Sequence, residues 1–158
     1  MFTDWYSEGV NVEEAKIGKK AMSMLMRACK AASYNSDYDR TKFGCVIFYK
    51  SRILATGWNM KKSNPLQLRY NRLKANCSKL KNSTHAEIDA ILNFARKQLG
   101  REERYSRSDL SIFIYRENSA GKLAIARPCV SCYQAIKDFG IKDIYYTGDG
   151  SIIHEIIL

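Results

Sequence analysis

The sequence predicts an α/β protein that folds as a three-layer α/β/α sandwich around one mixed five-stranded sheet. Three observations lead to this fold class. Two runs of strand-forming residues flank the short link Lys50-Ser51-Arg52, helical and strand patterns alternate after them, and no break in composition divides the 158 residues. With 46% hydrophobic and 27% charged residues, the composition is that of one folded globular domain.

The first predicted helix covers residues 12–34, where apolar residues recur at helical spacing. They are Ala21, Met24, Leu25, Ala28, Cys29 and Ala32. The later elements follow from similar patterns: strands over 43–49 and 53–58, a long loop over 59–84 with a short helix over 66–73, a helix over 85–99, a strand over 110–115, a helix over 129–139, and strands over 143–147 and 152–157.

Glycines and a turn punctuate these elements. Gly100 and Gly140 follow the second and third long helices, at the position where helices commonly end in glycine. Ser83 or Thr84 is a suitable N-cap for the helix over 85–99. Gly148-Asp149-Gly150 is a turn sequence, so the last two strands are expected to form an antiparallel hairpin.

Residues 1–158 are expected to form a single domain, with residues 1–11 as an N-terminal extension. Its aromatic residues, Phe2, Trp5 and Tyr6, could dock on the domain or on another subunit, so a homo-oligomer stays open. No apolar run approaches the ~20 residues of a membrane helix, and residues 1–9 lack the apolar core of a signal peptide. We therefore expect a cytoplasmic protein without a membrane partner.

The cysteine count indicates the redox compartment of the protein, and the net charge bears on its type of partner. Five cysteines, an odd number, argue against a disulfide framework and favour a reducing compartment. The net charge of +10 is large for one domain. It fits a polyanionic or phosphate-bearing partner, and it fits equally a basic surface that only keeps the protein soluble.

Two short segments carry the residues of a metal site. One is His85-Ala86-Glu87 and the other is Pro128-Cys129-Val130-Ser131-Cys132, each at the predicted start of a helix. Cys129 and Cys132 lie one helical turn apart, and a helix N-terminus favours the thiolate that binds metal. With His85 they make three ligands for Zn²⁺, which leaves a fourth position for water, as in catalytic zinc sites. Bound zinc brings the pKa of such a water toward ~7.

Glu87 is the predicted catalytic residue. In the first turn of its helix it can reach the water without binding the metal, and it can carry protons to the ring nitrogen and the leaving amine. The alternative is a closed structural site completed by Cys77 or His154, although that alternative gives Glu87 no role.

His-x-Glu followed by Pro-Cys-x-x-Cys is the signature of zinc-dependent nucleobase deaminases. The chain resembles the cytidine deaminase superfamily on these residues, and the resemblance extends from the helix at Ala21 to the last strand. It implies a cytidine deaminase-like fold, His85, Cys129 and Cys132 as zinc ligands, and Glu87 as proton shuttle. It also implies that the backbone amide of Ala86 faces the base.

The resemblance also reaches Gly57-Trp58-Asn59, which is similar to a Gly-x-Asn segment of the superfamily. It implies that Trp58 and Asn59 lie at the substrate, with Asn59 on the sugar. The alternative is that Asn59 only forms a turn and does not contact the substrate. A histidine as the first ligand, His85, is similar to the deoxycytidylate, tRNA and polynucleotide branches of the superfamily. A C-terminal hairpin is instead similar to the nucleoside branch and to several toxin-like deaminases.

The loop over 59–84 contains seven basic residues and no acid. They are Lys61, Lys62, Arg69, Arg72, Lys74, Lys79 and Lys81. Tyr70 lies among them and could stack on a base. We therefore expect deamination of cytosine in a nucleotide or in single-stranded nucleic acid. The alternatives are a tRNA adenosine deaminase, a catalytically silent nucleic-acid-binding module, and a basic loop that is merely solvated.

Overall fold

Six strands and four α-helices make up the part of the chain that the computed structural model describes, which is residues 10–14, 17–39, 41–72, 83–102 and 104–157. In chain order they are β1 (Val10–Glu14), α1 (Lys19–Ser33), β2 (Phe43–Tyr49), β3 (Arg52–Trp58), α2 (Pro65–Asn71), α3 (Ala86–Gln98), β4 (Ser111–Arg116), α4 (Val130–Phe139), β5 (Asp143–Thr147) and β6 (Ile152–Ile157).

The strands form one mixed sheet in the order β1-β6-β5-β4-β2-β3. β4 and β5 are parallel and are connected through α4, whereas every other neighbouring pair is antiparallel. β5 and β6 form the predicted hairpin, with Asp143 opposite Ile156. All five predicted strands are therefore present, in a mixed sheet.

Helices cover both faces of this sheet. On one face, Leu25 and Cys29 of α1 pack against Val46, Phe48 and Phe113. On the other face, α3 and α4 pack against the alternate residues of the same strands, which are Cys45, Ile47, Ile112 and Ile114. Since successive strand residues point to opposite faces, one hydrophobic run supplies both cores. The three-layer α/β/α sandwich is confirmed.

The predicted start of the first helix was wrong. α1 begins at Lys19, after Gly18 as its N-cap, and Val10–Glu14 is a sixth strand that pairs with β6. This strand includes Val10 and Asn11, which were predicted to belong to an extension. The physical reason is the pairing of the two strands, because β1 forms hydrogen bonds with the backbone groups along the outer edge of β6. The residue pattern within 10–14 does not predict such a long-range pairing.

The long loop contains the short helix α2, which begins one residue earlier and ends two residues earlier than predicted. Its start is encoded locally, because Pro65 occupies the first turn and the Asn64 side chain accepts a hydrogen bond from Leu66 N at 2.8 Å. α2 packs against α4. Among the described residues, no helix is both long enough and apolar enough to cross a membrane.

Gly57 sets the distance between β3 and α3. A Cβ atom at this position would lie 2.3 Å from Ala90 N and 2.5 Å from Ala86 O, both backbone atoms of α3. Glycine therefore lets the first turns of α3 lie directly on the strand. The site described next begins at that turn.

Candidate metal centre and active site

The N-terminal ends of α3 and α4 meet above the sheet. His85 is the N-cap residue of α3, and Cys129 is the N-cap residue of α4. His85 Nδ1 lies 3.5 Å from Cys129 Sγ and 3.3 Å from Cys132 Sγ. The ligand atoms of these three residues lie within 4.8 Å of one another, and no other such group occurs in the described residues. One imidazole nitrogen and two thiol sulfurs are a donor set that zinc prefers.

The burial of the three residues suits a catalytic site. Cys132 is fully buried, whereas His85 and Cys129 are partly exposed, so the cluster lies between the core and the surface. Three protein ligands leave a tetrahedral metal one position for water. The predicted triad is thus brought together, and its residues fit the zinc ion that the sequence indicated.

Glu87 lies in the first turn of α3 and is only 5% exposed. Its carboxyl interacts electrostatically with His85 and Cys129 and accepts a hydrogen bond from the Cys132 side chain. Burial raises the pKa of this carboxyl, and the nearby His85 opposes the rise. A buried acid with a raised pKa beside a metal group is suited to holding and releasing a proton.

His154 is not part of this cluster. It lies on β6, with Nε2 2.8 Å from Asp143 Oδ1 and its ring stacked on Tyr145 at 4.2 Å between centroids. The alternative in which His154 completes a closed zinc site is therefore wrong. Cys77, the other residue considered for that position, lies outside the described residues.

Asn59 and Trp58 lie at the end of β3. The Asn59 side chain is 7% exposed; its Oδ1 accepts from Phe43 N at 2.9 Å and its Nδ2 donates to Thr41 O at 2.8 Å. Trp58 N donates to Asp89 Oδ2 at 3.1 Å. These bonds hold the end of the strand. Contact of either side chain with the substrate stays a prediction.

Ala86 and Tyr70 are placed differently. Ala86 is the first residue of α3, and its N–H is among the first four of the helix, which have no partner within it. The Tyr70 hydroxyl donates to Asp138 Oδ2 at 2.8 Å. Asp138 lies six residues beyond Cys132, about 9 Å along the helix axis. The structure thus ties the Tyr70 hydroxyl to the far end of α4, and base stacking stays a prediction.

Three polar residues that sequence reasoning missed support the site. Gln67 is fully buried, and its Oε1 accepts from His85 N at 2.9 Å. Asp89 is 7% exposed and joins α3 to β3 through Trp58 N, while Asn93 Nδ2 donates to Thr56 O at 2.9 Å. The sequence contained a signal for Gln67. Gln67 and Asn71 are four residues apart, so that a helix places both polar side chains on the same face.

The segment before α4 is held by the last two strands. Ala126 N donates to Thr147 O at 2.9 Å, and Arg127 Nε lies 2.6 Å from Glu155 Oε1. The Glu155 side chain is fully buried and also accepts from the Tyr146 hydroxyl at 2.6 Å. This buried ion pair stands directly before Pro128 and Cys129, so β6 helps to fix the start of α4.

A basic surface adjoins the site through α2. Lys61 forms a 3.6 Å ion pair with Asp39. Lys62, Arg69 and Arg72 are exposed and form no ion pair within the described residues. Lys74, Lys79 and Lys81, which were predicted to extend this surface, lie outside those residues.

The fold and the site together are those of a zinc-binding deaminase domain. The family model for the cytidine and deoxycytidylate deaminase zinc-binding region matches residues 18–148, most of the chain. The chain belongs to this family. The resemblance drawn from the two motifs is confirmed, and so is zinc as the cofactor, since His85, Cys129 and Cys132 are positioned to bind a metal ion.

Solved structures support the fold. The cytidine deaminase of Burkholderia pseudomallei is 19% identical, with a TM-score of 0.54 over 82% of this chain and 87% of that one. The dCMP deaminase of the cyanophage S-TIM5 is 20% identical in its apo form, with a TM-score of 0.52 over 82% and 84%. The same phage enzyme in complex with dCMP and dUMP gives 0.51 over 83% of each chain at 20% identity. A search of curated protein sequences finds no match.

Proposed function

We propose that this protein is a hydrolytic deaminase that converts cytosine into uracil in a phosphate-bearing substrate, either a nucleotide or single-stranded nucleic acid. The observation that carries the proposal is the placement of the buried Glu87 carboxyl beside the His85, Cys129 and Cys132 cluster. A purely structural metal site needs no such acid, whereas hydrolysis of an amine needs a group that moves protons.

His85, Cys129 and Cys132 would hold the zinc. When bound, zinc supplies Lewis acidity that makes water nucleophilic near neutral pH. Glu87 accepts one proton of the attacking water and transfers it to the ring nitrogen; it then takes the second proton, from the hydroxyl that has been added to the ring, and passes it to the leaving amine. Water adds at the carbon that bears the amine, the carbon–nitrogen bond breaks, and uracil and ammonia are the products. The Ala86 N–H, which has no partner within its helix, would donate a hydrogen bond to the base.

A phosphate-bearing substrate is supported by the position of three cations that form no ion pair within the described part of the chain. Lys62, Arg69 and Arg72 lie on and around α2, and α2 contacts the metal site through the hydrogen bond from His85 N to Gln67. Like charges gathered without acidic partners raise the local potential and attract anions. They lie beside the site rather than across the sheet from it, and therefore fit the phosphate of a substrate.

A substrate panel with two charge-reversal variants tests this proposal. Wild type is incubated with cytidine, dCMP, CMP, single-stranded DNA, RNA and tRNA, and the products are identified by mass. We expect uracil from a phosphate-bearing substrate, and we expect a Lys62→Glu, Arg69→Glu, Arg72→Glu variant to raise KM at least tenfold with kcat little changed. The matched control reverses Lys19, Lys20 and Arg27 of α1, on the opposite face of the sheet, and should keep the wild-type KM.

Salt dependence then separates the two substrate classes. A strand that neutralises several phosphates loses affinity with a slope of roughly −0.7 per phosphate in log K against log salt. A slope beyond about −3 indicates a strand, and a slope shallower than about −1 indicates a nucleotide. If both charge variants keep the wild-type KM and the enzyme turns over unphosphorylated cytidine, the basic surface is exposed to solvent and does not bind the substrate. Inosine from adenosine in tRNA would contradict cytosine as the base.

A further inference from the structure

The side chain of Gln67 is fully buried and forms hydrogen bonds at both ends. Its Oε1 accepts from His85 N at 2.9 Å, and its Nε2 donates to Asn71 Oδ1 at 2.8 Å. Burial of an amide costs free energy unless its polar atoms are bonded. Here the compensating bonds include the backbone of a predicted metal ligand.

This hydrogen-bonded chain can run in only one direction. The His85 N–H can only donate, so Gln67 must present its oxygen to His85. The amide nitrogen of Gln67 then faces Asn71, which must present its own oxygen. Asn71 thereby fixes the orientation of Gln67, and Gln67 fixes the backbone of His85.

The bond acts where the direction of the imidazole is set. His85 is the N-cap residue of α3, with an extended backbone and no side-chain cap. The preceding residue, Thr84, exchanges 3.0 Å backbone bonds with Met60, and its Oγ1 donates to Lys62 O at 2.7 Å. Residues 84–85 are thus fastened to the segment over 60–67, and Gln67 provides the bond at the ligand itself.

α2 also contacts the second ligand-bearing helix. Tyr70 lies about one helical turn after Gln67 on α2, and its hydroxyl donates a hydrogen bond to Asp138 on α4. One short helix therefore reaches both elements that carry the metal ligands. This second contact lies near the far end of α4 and provides a control for the first.

We propose that Gln67 is a positioning residue for the metal ligand His85. Its carboxamide holds the His85 backbone so that Nδ1 stays directed at the two thiols. The inference rests on the zinc-binding role of His85 in the proposed function. Groups that orient metal ligands typically change metal affinity or activity by about 10–100-fold when they are removed.

Cobalt binding to the full chain tests this role without relying on turnover. Co²⁺ is titrated into metal-free wild type, Gln67→Met, Gln67→Glu and Tyr70→Phe, and both affinity and absorption spectrum are recorded. Gln67→Met keeps the shape and removes the acceptor, so we expect about 10–100-fold weaker binding and an altered spectrum. Gln67→Glu keeps an acceptor for His85 N–H, and the Asn71 amide can turn to donate, so most of the affinity should return. Tyr70→Phe should match wild type.

The outcomes separate this inference from the proposed function. Wild-type affinity and spectrum in folded Gln67→Met would overturn the inference alone, as would equal losses in the Met and Glu variants. If Gln67→Met does not fold, Asn71→Ala takes its place, because it frees Gln67 to turn away; a severalfold loss of affinity supports the role and unchanged binding overturns it. Wild type that binds no cobalt would overturn the proposed function as well.

Discussion

The two helix starts that form the metal site are anchored by different chemistry. The start of α4 follows a segment held by the sheet through a backbone bond to Thr147 and a buried ion pair between Arg127 and Glu155. The start of α3 is held by close packing on Gly57, by the hydrogen bond from His85 N to Gln67, and by the Asp89 carboxyl, which accepts from Trp58 N. Two ligands thus depend on a buried ion pair, and the third depends on packing and on single hydrogen bonds.

This difference has an energetic meaning. A buried ion pair is costly to break, because removal of one partner leaves the other charged in a medium that solvates it poorly. A single hydrogen bond or packing contact contributes less to stability, so its loss costs less. The α4 side should therefore be the more sensitive to a single substitution, and two variants measure the contrast.

The largest loss of stability is expected from Arg127→Met. The substitution removes the guanidinium that neutralises the fully buried Glu155 carboxylate, which keeps its hydrogen bond from the Tyr146 hydroxyl. Breaking a buried pair in this way costs about 3–5 kcal/mol. The free energy of unfolding from urea denaturation is the measurement.

The double variant Arg127→Met, Glu155→Gln is the matched control. It removes the orphaned charge and keeps an acceptor for Tyr146, so it should recover much of the lost stability. A single variant within about 1 kcal/mol of wild type would show that the pair does not anchor α4.

A smaller loss is expected from Gly57→Ala on the α3 side. The added Cβ meets backbone atoms of Ala86 and Ala90, which cannot rotate away, so α3 must shift. Overpacking of this kind typically costs about 1–3 kcal/mol. Zinc content should fall with it, since His85 begins the helix that moves.

Gly18→Ala serves as the control, because its Cβ would meet nothing within 4 Å. Thermal melting and metal analysis of both variants make the comparison. If Gly57→Ala retains wild-type stability and full zinc, the close approach of β3 and α3 does not position the site.

The sequence predicted those parts of the site that are encoded locally. His85 and Glu87 lie in one helix turn, and Cys129 and Cys132 lie in another. The hydrophobic runs of the central strands predict that these strands are buried. The anchors could not be found in this way. Glu155 is the one acid in β6, and only the fold shows that Arg127, 28 residues earlier, neutralises it.

The error at the N-terminus has the same origin. Val10–Glu14 becomes a strand through its pairing with β6 at the other end of the chain, and the two acids at its end resemble the first turn of a helix. Gln67 was passed over because a glutamine in a polar loop is usually exposed. Long-range contacts decided each of these cases.

The central claim is that Glu87 moves protons at a zinc site formed by His85, Cys129 and Cys132. Its most direct test compares wild type, Glu87→Gln and Asp89→Asn for bound zinc and for ammonia released from the best substrate of the panel. Asp89 is the other buried acid in the first turn of α3, and asparagine can still accept the Trp58 N–H. We predict about one zinc ion per chain in all three proteins, a rate about 10²–10⁴-fold lower in Glu87→Gln, and a rate close to wild type in Asp89→Asn. Turnover by Glu87→Gln within about tenfold of wild type, with its zinc in place, would contradict the claim.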